Sequence, residues 1–136
     1  MSDLTSTAIA GRIEDLYAAP LEDLASRAHH QPPGMLSALL GMHEALAIAE
    51  RSIAYQRDRL AQLARPEQDI GAHEVSRVLD CARRLAEAVA VRDVQATAAR
   101  AVLHSLGRVT AQPSPGPTPP VPAPPPAPAP SAAPSR

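Results

Sequence analysis

Residues 65–71 read RPEQDIG, and the apolar repeat on one side of this segment does not continue in phase on the other. Upstream, residues 35–64 place Leu39, Leu46, Ile53 and Leu60 at one heptad position, with Met42, Ala49, Gln56 and Leu63 at the second. Downstream, residues 72–107 carry Val75, Ala82, Val89, Ala96 and Leu103, with Val78, Leu85, Arg92, Ala99 and Leu106. Extending the first repeat through the segment would put Glu74 and Arg77 on the apolar stripe. Pro66 removes a backbone donor and clashes with the turn before it, and Gly71 loosens the chain five residues later. One continuous rod is therefore not the expected fold. The chain should turn at RPEQDIG and form a long antiparallel hairpin of helices 35–64 and 72–107.

Pairing Leu60 with Val75 in that hairpin sets Ile53 on Ala82, Leu46 on Val89 and Leu39 on Ala96. The alternate layers are then Gln56 on Val78, Ala49 on Leu85, and Met42 near Arg92. Large residues meet small ones, as a close helix pair requires. The second helix overhangs its partner, so Val102, Leu103 and Leu106 need further cover. Residues 3–19 supply it, with Ile9, Ile13, Leu16 and Tyr17 on one face and Ser2 or Asp3 as the expected cap. Pro20, Glu22 and Asp23 open a short second helix, about 20–29, carrying Leu21, Leu24, Ala25 and Ala28. QPPG at 31–34 ends it. The fold class is all-α, a three- or four-helix bundle over residues 1–112.

Composition limits that bundle. Phe and Trp are absent and Tyr17 and Tyr55 are the two tyrosines, so Leu, Ala, Val and Ile must build the core. Small side chains bury modest area, and self-association is the expected supplement. Every basic side chain is Arg, which together with abundant Ala and Pro points to a GC-rich bacterial genome. From Pro113 to Arg136 the chain holds twelve of the sixteen prolines and one charge. Proline fixes its own φ and lacks an N–H, so a disordered, extended Pro/Ala-rich tail is expected there. Its PxxP spacings, such as Pro117 to Pro120, have no adjacent basic residue, since Arg136 is far off. The tail reads as a spacer, or else as a docking ligand.

No enzyme chemistry is legible. HEALA at 43–47 and HEVSR at 73–77 have Ala47 and Arg77 where a zinc site needs a second His. His29, His30, His43, His73 and His104 are scattered. His73, Arg77 and Cys81 share a helix face, but an Arg between two ligands opposes a cation. Cys81 is expected to be buried as a small apolar residue. No phosphate loop and no Ser–His–Asp arrangement is present, so neither a metal nor any other cofactor is expected. The lone Cys81 rules out a disulfide framework and fits a reducing cytoplasm. Neither a signal peptide nor a membrane span is expected, the uncharged stretches of the folded part being too short. WXG100-type secreted hairpins require a Trp that this chain lacks, and Tyr17 and Tyr55 are followed four residues on by Leu21 and Arg59 rather than an acid. No family is claimed.

Two groups of arginines remain. Arg57, Arg59 and Arg65 crowd one end of the hairpin with Arg83 and Arg84 nearby, though Asp58, Glu67, Asp69, Glu74 and Asp80 are interleaved with them. Asp80 with Arg83 or Arg84, and Arg83 with Glu87, have the spacing of local helix ion pairs. Arg92 is the one charge in an apolar seam. It must pair, reach water or lie in an interface, and Glu14, Asp15 or a second subunit are the expected partners. The net charge of −1 argues against a nonspecific nucleic-acid or membrane-surface binder. The resulting expectation is a non-enzymatic interaction or adaptor protein that works through protein–protein contacts, forms a homo-oligomer, and has a protein partner the sequence does not identify. The alternative is a small regulator that touches nucleic acid through the Arg-bearing hairpin end.

Overall fold

The computed structural model describes residues 5–111, 116 and 122–129. Among the described residues it is all-α, with four helices: α1 (Ser6–Tyr17), α2 (Leu21–His30), α3 (Met35–Leu63) and α4 (Ala72–Ala111). Helices α3 and α4 form the expected antiparallel hairpin, and α1 packs on both of them while α2 packs on α1 and α3. The turn falls where the phase breaks. Leu63 is the last residue of α3, Ala64 caps it with an N–H to the Leu60 carbonyl at 2.9 Å, and α4 opens at Ala72. Gly116 and residues 122–129 are exposed and have no regular secondary structure. The rest of the Pro-rich tail, and the proposed caps Ser2 and Asp3, lie outside the described residues.

The core is small and sits at one end. Ile9 and Ile13 of α1, Leu24 of α2, Leu39 and Leu46 of α3, and Ala99 and Leu103 of α4 form one buried cluster. Leu16, Tyr17, Val102 and Leu106 pack around it, so the overhanging end of α4 finds its cover in the N-terminal helices. Each large aliphatic buried there contributes about 1.5–3 kcal/mol. Toward the turn, the buried residues of the hairpin are Ala49, Gln56, Leu63, Cys81 and Ala88. Only one of these five is a large aliphatic.

Both heptad positions of α3 face inward as read from the sequence, all eight residues being buried or half-buried. In α4 one position holds and the other drifts. Val78, Leu85, Arg92, Ala99 and Leu106 are at least half-buried, but Val75 and Ala82 are exposed, Val89 and Ala96 are half-buried, and only Leu103 is buried. A straight α-helix turns about 20° per heptad away from a strict seven-residue repeat. Over the 40 residues of α4 the inward face therefore passes from Cys81 and Ala88 to Ala99 and Leu103. The pairing of layers shifts with it. Gln56 shares a recess with Cys81 and Arg84, and Ala49 shares one with Ala88.

Side-chain caps join the elements. Thr5 caps α1, its hydroxyl accepting from the Ala8 N–H at 3.2 Å. Glu50 of α3 reaches the same end, with Oε1 accepting from the Ser6 N–H at 2.8 Å and Oε2 from the Ser6 hydroxyl. Glu14 performs the equivalent task for α2, accepting from the Leu21 N–H at 2.8 Å, because Pro20 at the N-cap has no side-chain oxygen. Ala18 turns the chain between α1 and α2 with φ 51° and ψ 41°, the left-handed region that costs a Cβ-bearing residue.

Two stability measurements follow from these contacts. Ala18→Gly should stabilise the fold by roughly 0.5–1 kcal/mol, since glycine takes the left-handed conformation without strain. Glu50→Ala should destabilise by about 1–2 kcal/mol through loss of the α1 cap. Urea melts followed by circular dichroism read both, and opposite signs for the two variants are the expected result.

Candidate interaction surfaces

The half of the hairpin near the turn has two flanks, and among the described residues neither is covered by another helix. One flank is basic. Tyr55, Gln56 and Arg59 of α3 face His73, Ser76, Arg77, Asp80, Cys81 and Arg84 of α4 across an open recess of about 470 Å³. His73, Arg77 and Cys81 do share a face, as their spacing in α4 requires. Among the described residues, no three His, Cys, Asp or Glu side chains lie close enough to hold a metal ion. Cys81 is a free, buried thiol.

The five arginines of the sequence reading divide between locations. Arg59 and Arg84 come together in the basic recess, joined by Arg77, which the reading had not grouped with them. Arg57 lies on the other flank, where it shares a recess with Thr5, Glu50, Ile53, Ala54, Arg92, Asp93 and Ala96. Arg65 is exposed in the turn, its carbonyl accepting from the Gln68 N–H at 3.1 Å. Arg83 is exposed and bonds Asp80 at 2.7 Å, and Arg84 bonds the same carboxylate at 3.0 Å. Asp80 thus gathers both arginines that its spacing offered, and Arg83 turns to it rather than making an ion pair with Glu87. The hydrogen bond from Arg83 and the charge of Arg84 hold the Asp80 carboxyl below its ordinary value.

Arg92 does not pair with the N-terminal helices. Its guanidinium bonds the neighbouring Asp93 at 2.9 Å, and its side chain is 39% exposed. Glu14 is engaged at the start of α2, and Asp15 lies on the far side of α1 beside Arg12, Leu103 and Gly107. Arg92 keeps its half-buried seam position, and its long side chain carries the guanidinium to water at the seam's edge.

On the second flank, beyond Arg57, α4 presents an apolar stripe. Val75 and Leu79 are 46% and 65% exposed, and Ala82 and Ala86 are exposed beside half-buried Val78, Leu85 and Val89. At 3.6 residues per turn Val75, Leu79, Ala82, Ala86 and Val89 fall on one stripe of α4, spaced four, three, four, three. Asp93 is the next position of that stripe, and it shares an open recess with Thr5 at the start of α1. The apolar face therefore continues the one that α1 covers, and it is open where α1 ends. Sequence reasoning placed Val75, Ala82 and Val89 in the intramolecular seam and did not single out Leu79 and Ala86. The 4-3-4-3 spacing was the signal available.

Compared with known proteins, the chain matches no family model, no curated protein and no solved structure. Among the described residues no helix is long and apolar enough to cross a membrane.

The geometry at Asp80 gives a titration test. A carboxyl held below its ordinary value of 3.8 favours the folded state above that pH, and the contribution is lost as pH falls through the lowered value. Side-chain carboxyl NMR should show Asp80 titrating below 3.8, and Arg83→Gln should move its midpoint upward.

Proposed function

We propose that this chain is a non-enzymatic interaction protein that acts through protein–protein contacts, self-association among them. The observation that carries the reading is the open apolar stripe of α4. Exposed Val75 and Leu79 stand beside Ala82, Ala86 and half-buried Val89, on a hairpin half whose buried residues are Ala49, Gln56, Leu63, Cys81 and Ala88. Scattered surface apolar residues need no explanation, but a contiguous heptad-spaced face does. Covering such a face with a further helix is how bundles complete their cores. The lone reduced thiol, Cys81, supports a cytoplasmic setting. The Pro-rich tail serves as a spacer.

The second reading, a regulator that contacts nucleic acid, rests on Arg59, Arg77 and Arg84 in the basic recess. It has less support, since Arg57 lies on the other flank and Asp80 engages Arg83 and Arg84. No stacking platform beyond Tyr55 lines the recess.

Affinity capture from the native cell with wild-type and Leu79→Arg bait separates the readings. The wild-type should retain a protein, this chain itself or another, that Leu79→Arg loses by tenfold or more. Equal retention by both refutes the use of this face. Binding of DNA or RNA that falls steeply with salt and is lost in Arg59→Gln with Arg77→Gln would favour the second reading.

A further inference from the structure

We propose that the occupant of the open stripe is a second copy of this chain, docked with its α4 antiparallel across a two-fold axis at Ala82. The inference rests on the interaction reading just given and assigns its partner. Read in either direction, the stripe nearly repeats itself: Val75, Leu79, Ala82, Ala86 and Val89 one way, Val, Ala, Ala, Leu and Val the other. An antiparallel pair centred on Ala82 sets Val75 on Val89 of the second copy and brings Leu79, three residues from the axis, near Ala86, four residues from it. Ala82 meets its own symmetry mate. The one leucine then faces an alanine, the valines meet each other at the two ends, and the two alanines at the axis let the backbones approach closely. A parallel pair would stack Leu79 on Leu79 and leave facing alanines at two successive layers, with crowding at one level and a gap at the next. The antiparallel two-fold arrangement is also closed, so pairing stops at the dimer.

Charge agrees with this register. No ionised side chain interrupts the stripe from Val75 to Val89. Its next position, Asp93, falls opposite residues 71 and 72 of the second copy, where α4 opens with its backbone N–H groups. The same end of the stripe abuts Thr5, so the paired hairpins would butt against α1 and bury the apolar face from the turn to the N-terminal helices. The flank with Arg59, Arg77 and Arg84 stays free in this arrangement.

The test uses the full chain with Cys81→Ser to remove the buried thiol. Adding Ala82→Cys should give a disulfide-linked dimer on mild oxidation, because the two-fold axis brings residue 82 to its mate. Ser105→Cys, exposed and far from the axis, should remain uncrosslinked. Light scattering of the unmodified chain should give twice the monomer mass, and Leu79→Arg should halve it with helical content unchanged. A dimer in which Ala82→Cys does not crosslink, or a monomer at all concentrations, overturns the proposal. A monomer that still captures a different protein through Leu79 overturns the self-pairing alone, and a monomer that captures nothing sinks the interaction reading as well.

Discussion

Ile9 and Ile13 of α1 lie between Leu39 and Leu46 of α3 and Ala99 and Leu103 of α4, and the rest of the molecule depends on that contact. With no Phe or Trp, these aliphatic side chains supply most of the fully buried volume. Truncating one of them would cost about 2–5 kcal/mol, a large share of the stability of a domain this small. Glu50 then sets the position of α1 along the hairpin by accepting from both the backbone and the hydroxyl of Ser6. Hydrophobic burial holds α1 down, and a directional hydrogen bond fixes where it begins.

That division explains why the two ends of the hairpin differ. Near α1 and α2 the hairpin is part of a four-helix core. Near the turn it is two helices touching through Ala49, Gln56, Cys81 and Ala88, with Leu63 the one large buried aliphatic. Gln56 is 7% exposed in that seam, yet no buried side-chain nitrogen or oxygen among the described residues lacks a hydrogen-bond partner. The seam is narrow enough for the amide to reach the recess at its edge. A thin seam brings the helices together without hiding their flanks, which is why apolar and basic residues stand exposed on opposite sides of the same helix pair.

Much of this was legible in the sequence. Pro66, Gly71 and the broken phase located the turn, and the apolar pattern of residues 9–17 identified the cover for Leu103. Local signals of this kind act within a turn of helix, so one chain is enough to read them. The face of α4 was not legible in the same way. A heptad can be counted on any helix, but whether it faces a partner depends on supercoiling, and a straight helix carries Val75 and Ala82 out of the seam that holds Leu103. The caps were missed for a related reason: Glu50 and Ser6 are 44 residues apart, and no local rule links them. Of the partners expected for Arg92, Glu14 and Asp15 are not used, since a guanidinium at the seam's edge has water and Asp93 within reach. Of the arginine group, spacing found the Asp80 pairs and missed the separation of Arg57 from Arg59, two residues that a helix points about 200° apart.

The length of α4 gives the molecule two poles. Its 40 residues span about 60 Å, with the turn at one extremity and the compact end, holding α1 and α2, toward the other. The Pro-rich sequence is joined beyond Ala111, at the compact pole, whereas the open apolar stripe begins at Val75, beside the turn. Val75 and Ala111 stand 36 residues apart along α4, about 54 Å at the helical rise, so the start of the stripe and the end of the helix lie at opposite poles. The chain is a ruler with a different fitting at each end.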